Sequence, residues 1–200
     1  MRRSLKSRRD AVLFAFFQQE QAALHRLEAA GELAVVYADE CRFSRQAPVP
    51  YAWQVRGQPP VALPAERGGG WTVLGLWQAR AANQPLTSYV LPGALTAELF
   101  VAALDEYCAT LGQPTVLMLD NASVHRAACV RARQAYWAAH GLRLQFLPAY
   151  CPELNLIEIL WHRCKHYWLT PDHYASEQTL LKALNQLLTQ IGKEYTITFD

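Results

Sequence analysis

Apolar and polar positions alternate with two different periods along this chain, and the switches between them mark its elements. Over 10–30, Leu13, Phe16, Phe17, Leu24 and Leu27 fall at roughly helical spacing, and Gly31 closes the helix they predict. LAVVYA (33–38) is a short apolar run rich in β-formers, the signature of a buried strand. The next thirty residues, with PVPYAW, GQPPVALP and ERGGG, fit short strands joined by turns. WTVLGLWQA (71–79) and PLTSYVL (85–91) predict two more strands around a turn at Ala82-Asn83-Gln84. Thr96 is a suitable N-cap, with Glu98 in the first turn, for a helix to about Leu111 that Gly112 ends. TVLMLD (115–120) is the next buried strand, followed by a helix from about Ala127 to His140, Gly141, and the strand LRLQFL (142–147). Pro152 suits the first position of a helix to about Leu169, Pro171 marks its end, and Ser176 caps a last helix to about Ile191. Strands come first, then helix and strand in alternation, then helices. That order predicts an α/β fold, a mixed sheet flanked by helices in one domain.

Composition agrees with a packed domain: 52% of the 200 residues are apolar and 18% charged, which excludes a disordered chain. The net charge of +2 is too small to imply a polyanionic partner by itself. Its distribution is more telling, since Arg2, Arg3, Lys6, Arg8 and Arg9 crowd the first nine residues as either a solvated tail or a nucleic-acid-binding arm. The apolar run AVLFAFF that follows is at the short limit for a secretion signal and has no small-residue cleavage site behind it. No stretch is long enough to span a bilayer, so the chain reads as cytoplasmic. The five cysteines are odd in number and lack CxxC spacing, which points to neither a disulfide framework nor a thiolate zinc site.

Three acidic residues stand in unusual places. Asp39 follows LAVVYA directly, and Asp120 ends TVLMLD in the same manner. Ligands bind at such strand ends in α/β folds, although a lone Asp there is also a common turn former or cap. The third is Glu158, on the expected helix after Pro152, where Leu154, Ile157, Trp161, Cys164 and Trp168 form a buried stripe. Glu158 borders that stripe, and a carboxylate there needs a partner: Arg163, Lys165, a backbone amide, or a cation shared with the other acids. Three converging carboxylates would repel one another without a cation, and oxygen-only ligands suit Mg²⁺ or Mn²⁺ and not zinc.

The sequences around these acids carry a family resemblance. YADECRF around Asp39, LMLDNASVHRA around Asp120 and FLPAYCPELNLIEILW around Glu158 resemble the three catalytic blocks of DDE transposases of the mariner-like superfamily, bacterial insertion-sequence branch. The likeness covers roughly residues 32–170, and WTVLGLW and QVRGQPP resemble the family's intervening strands. It implies a ribonuclease-H-like (retroviral-integrase-like) fold. It implies a catalytic domain over 32–170, with a basic arm and linker helix over 1–31 and a C-terminal helix and tail over 171–200. Asp39, Asp120 and Glu158 take the catalytic and metal-ligand positions, for two Mg²⁺ or Mn²⁺ ions. Asn121, His125 and Asn155 match polar positions beside the acids, where they could orient a carboxylate or contact a phosphate. Asn121 could equally shape the turn, and His125 could cap the following helix. The chain departs from the pattern PPYSPELNPIE at Ala149, Cys151 and Leu156, none of which removes a carboxylate.

The activity so implied is DNA cleavage at the ends of an insertion sequence, followed by attack of the released 3′ hydroxyl on target DNA. DNA is the implied partner, near the nucleoid, with a homodimer or an upstream helix-turn-helix fragment completing the assembly. Only about thirty residues precede the first catalytic strand, so a split or truncated gene is expected. Arg126 and Lys165, with Arg42, Arg45, Arg131, Arg133 and Arg163, are candidates for phosphate contacts. The alternatives are an inert DNA- or partner-binding remnant and a different ribonuclease-H-like nuclease.

Overall fold

The computed structural model describes residues 8–46, 56–57 and 69–199. The strands expected between 47 and 68 lie outside these.

Five strands form one mixed sheet: β1 (Ala34–Ser44), β2 (Gly70–Trp77), β3 (Leu86–Leu91), β4 (Thr115–Leu119) and β5 (Leu142–Phe146). Their spatial order is β3-β2-β1-β4-β5, with β1–β2 and β2–β3 antiparallel and β1–β4 and β4–β5 parallel. Helices α1 (Ala11–Ala29), α2 (Ala97–Ala109), α3 (Ala128–Ala139), α4 (Ile157–Arg163) and α5 (Glu177–Gln190) flank it. This is the ribonuclease-H-like arrangement that the resemblance implied.

Alternation along β1 divides the interior into two cores, because successive side chains of a strand point to opposite faces. Val35, Tyr37, Cys41 and Phe43 join Val73, Trp77 and Met118 beneath α4 and α5. Val36 and Ala38 join Leu74, Leu76, Leu117 and Leu119 beneath α2 and α3, against Phe100, Leu104, Val130 and Trp137. The predicted caps form as expected: the Thr96 hydroxyl accepts from the Leu99 amide and the Ser176 hydroxyl from the Thr179 amide. α5 packs Leu180, Leu184, Leu187 and Leu188 into the same core as β1 and α4. α1 buries no residue completely. It is held by the Gln21 amide donating to the Leu154 carbonyl (2.6 Å) and by His25, whose ring lies 2.9 Å from the Tyr37 hydroxyl.

Two expectations need correction. The first strand does not stop at Ala38 but runs to Ser44, so Asp39 lies within β1. Pairing with β4 ends at Tyr37–Met118, but antiparallel pairing with β2 continues from Tyr37–Trp77 to Ser44–Gly70 and carries the strand onward. The helix expected from Pro152 to Leu169 is broken into a 3₁₀ turn (Pro152–Leu154), α4, and a π turn (Cys164–Trp168). Asn155 interrupts it with an extended backbone (φ −100°, ψ 91°). The wider π turn, closed by the Leu169 amide on the Cys164 carbonyl at 3.0 Å, shifts the buried stripe by one position. Leu169 is therefore buried while Trp168 is only half-buried.

Candidate acidic site

Three separated segments carry the three acids. Asp39 is on β1, on the face that meets α4. Extending the β1–β4 register two residues past Tyr37–Met118 sets it beside Asp120, the first residue after β4. Glu158 enters from above, in the first turn of α4. The approach of α4 depends on Gly75, the β2 residue paired with Asp39. A Cβ there would lie 2.6 Å from Trp161 Cζ2 and 3.0 Å from Ile157 Cδ1, so only glycine lets this helix lie so close to the sheet. Asn155 secures the start of α4: its buried Nδ2 donates to the Ala38 carbonyl at 3.2 Å, one residue before Asp39.

Electrostatics records this convergence. Burial, followed by repulsion from Glu40, Asp120 and Glu158, pushes Asp39 up to about 7 from the usual 3.8. Glu158 is also raised, by partial desolvation first and then by Asp120 and Glu153. Its side chain is more exposed than its place beside the stripe suggested, and among the described residues it forms no ion pair with Arg163 or Lys165. Asp120 is lowered, chiefly by its hydrogen bond to His125 and also by the Ala122 amide.

His125 is fully buried, with its ring 4.6 Å from that of Phe100. Nδ1 lies 2.9 Å from Asp120 Oδ1 and Nε2 lies 3.4 Å from Glu40 Oε2. Burial alone would lower its proton affinity, but the two carboxylates outweigh that and raise it to about 9. It does not cap α3, whose N-cap is Ala127. Asn121 ties the turn to the neighbouring loop, its Nδ2 donating to the Leu147 carbonyl. Glu40 was not singled out in the sequence; the signal available there was its place beside Asp39 in YADECRF.

A cleft of about 450 Å³ opens beside the acids, lined by Asp120, Asn121, Leu147, Tyr150, Asn155 and Glu158 among others. Tyr150 at its rim takes a left-handed backbone (φ 61°), a costly conformation for a non-glycine residue. A second cleft, about 460 Å³, lies at the start of β1 between His25, Glu28, Arg80 and Gln113 and contains none of the three acids. The expected cations divide. Arg126 is exposed, with its guanidinium 5.3 Å from the Phe146 ring. Lys165 is half-buried, with Nζ 5.4 Å from the Phe43 ring. Arg42 donates to the Thr72 hydroxyl, while Arg133 is engaged by Asp105.

The donor set fits a hard divalent cation: it is all oxygen, and the repulsion that adds to burial in raising Asp39 is what a cation between the acids would relieve. As the side chains stand, no three His, Cys, Asp or Glu among the described residues are close enough to enclose an ion. Asp120 is turned toward His125 and the Ala122 amide.

The sequence profile of the DDE superfamily endonucleases matches residues 34–181, a span that holds all three acids. The chain belongs to this family. No curated protein matches it. Among solved structures it is similar to the mariner Mos1 paired end complex with Mg, at 17% identity over 94% of this chain and 56% of that one (TM-score 0.64). It is similar to the Mos1 strand transfer complex at 16% identity, over 91% and 56% (TM-score 0.58). The catalytic domain of Mos1 mariner transposase matches at 15% identity, over 90% and 83% (TM-score 0.50). At such identities the likeness is one of fold, and this chain spans about half the length of the chains in the two Mos1 complexes. Among the described residues no helix is long and apolar enough to cross a membrane.

Proposed function

We propose that this chain is the catalytic domain of a DDE transposase of the bacterial insertion-sequence branch, cutting DNA at the element's ends and joining the released 3′ hydroxyl to target DNA. The observation that carries the proposal is the convergence of Asp39, Asp120 and Glu158 from three segments toward one end of the central strands, where burial first and then neighbouring carboxylates push Asp39 up to about 7. The family and the Mos1 complexes support the same reading.

In this reading Asp39, Asp120 and Glu158 hold two divalent ions, Mg²⁺ or Mn²⁺. When bound, such ions would supply activation of the attacking oxygen and neutralisation of the leaving one. The rest falls to the chain's own residues. His125 orients the Asp120 carboxylate, and Asn155 fixes the start of α4 and with it Glu158. Asn121 shapes the loop at the cleft where DNA enters. Arg126 and Lys165 neutralise backbone phosphates, so affinity for DNA falls steeply with salt. Residues 32–170 form the catalytic unit, preceded by the basic arm and linker helix and followed by the C-terminal helix and tail. End recognition comes from a helix-turn-helix partner or a second copy, in the cytoplasm at the nucleoid.

Nicking of supercoiled plasmid by the purified chain with Mn²⁺ or Mg²⁺, beside Asp120→Asn, tests the proposal. Metal-dependent nicking that is lost in the variant is the expected result. Absence of nicking at low salt, even with a helix-turn-helix fragment supplied, refutes it and favours an inert remnant. A strand-joining assay on pre-cleaved ends separates a transposase from a nuclease of the same fold.

A further inference from the structure

We infer that Glu40 is a positioning residue for the acidic site: through His125 it ties β1 to the turn after β4 and so fixes Asp120 beside Asp39. The inference rests on the reading of Asp39 and Asp120 given above. Backbone pairing between β1 and β4 stops at Tyr37–Met118, just short of both aspartates. Past that point a side-chain bridge spans the gap. Strand alternation sends Asp39 toward α4 and Glu40 toward α2 and α3. On that second face His125 is fully buried against Phe100, with one ring nitrogen 2.9 Å from Asp120 and the other 3.4 Å from Glu40.

Two details give the bridge a direction. Neither His125 Nε2 nor Glu40 Oε2 has a hydrogen-bond partner among the described residues, so these two facing, buried atoms are left to each other. They already lie within ion-pair distance and lack only hydrogen-bond alignment, so a small reorientation would pair them, and a buried polar atom left unpaired is costly. At the other end, His125 and the Ala122 amide both bind Asp120 Oδ1, which leaves Oδ2 free of these bonds. The partners of a liganding carboxylate set its orientation, and losing such a partner commonly weakens metal binding about 10–100-fold. Glu40 itself lies on the wrong face of β1 to join Asp39 as a ligand.

The test uses the intact chain and two variants. Glu40→Gln keeps an acceptor oxygen for His125, and Glu40→Ala removes it. The first readout is the imidazole ¹⁵N–¹H signal of His125 in metal-free protein. The Nε2 proton is expected to be protected from exchange in wild type and E40Q, and lost to exchange in E40A. The second readout is Mn²⁺ affinity by electron paramagnetic resonance, expected to fall about tenfold or more in E40A and to recover in E40Q. A purely packing role would move neither readout in this pattern. An E40A chain with a protected Nε2 proton and wild-type Mn²⁺ affinity overturns the inference, as does an E40Q chain that behaves like E40A. If the wild-type chain takes up no Mn²⁺, the metal reading itself fails and the imidazole signal alone decides. Loss in E40A with retention in E40Q then upholds the tie, and an unchanged signal overturns it.

Discussion

Replacing Asp39 by asparagine should make the metal-free protein more stable while abolishing the metal binding proposed above. Asp39 is raised from 3.8 to about 7 by burial and by three neighbouring carboxylates. That is roughly three factors of ten in proton affinity, each worth about 1.4 kcal/mol, or about 4 kcal/mol at most. Asp39 is only partly buried, and solvent screening reduces this to about 2 kcal/mol. For a chain of this size that corresponds to a rise in Tm of roughly 4–8 °C. Because the folded value lies above the unfolded one, wild type carries no penalty below pH 3.8. The penalty grows as pH rises and is complete above about 7. Calorimetry in EDTA at low salt should therefore show Asp39→Asn and wild type melting together near pH 4 and well apart at pH 8. Adding Mg²⁺ should raise wild type and narrow the gap, since an ion that binds only the folded state stabilises it. A variant no more stable than wild type at pH 8, or a gap as wide at pH 4, would refute the electrostatic account.

Three further predictions concern the frame around the acids. Gly75→Ala drives a methyl group into Trp161 and should cost about 1–3 kcal/mol in urea unfolding, with weaker Mn²⁺ binding because α4 and Glu158 are displaced; unchanged values for both would show that α4 has room to spare. His125 is raised from 6.5 to about 9, so its contribution to stability is complete below pH 6.5 and lost as pH rises through 9. Urea midpoints of wild type should fall across that window more steeply than those of His125→Gln, and parallel profiles would contradict the pairing. Asp105→Ala removes the acceptor of the buried Trp137 indole (2.7 Å) and of Arg133 (2.9 Å), and should cost about 1–3 kcal/mol with the acidic site intact; a cost below 0.5 kcal/mol would show that water replaces the carboxylate.

Period and punctuation in the sequence were enough to place the elements. The five described strands, the caps Thr96 and Ser176, and the helices α1, α2, α3 and α5 were legible because each depends on residues within a few positions of one another. The three acids could be singled out too, since each sits in a distinctive local block, and their role as a site remains the proposal made above. What was not legible depends on partners far along the chain. β1 outruns its apolar run because β2, some thirty residues later, continues to pair with it. The helix after Pro152 breaks at Asn155, where the side chain binds the Ala38 carbonyl over one hundred residues away. The π turn moves burial from Trp168 to Leu169, which no fixed helical period anticipates.

The same division holds for the chemistry. Which residues could serve as ligands was written in the sequence, because a carboxylate's chemistry belongs to its type. How they behave was decided by the tertiary structure. Asp39 follows one apolar run and Asp120 ends another, yet burial among acids raises one and a hydrogen bond to the buried His125 ring lowers the other. Glu40, an ordinary acid in the sequence, acquires a role only because strand alternation turns it toward His125. Local pattern follows from short-range sterics and hydrophobicity, whereas proton affinity and orientation depend on neighbours that only the folded chain brings near.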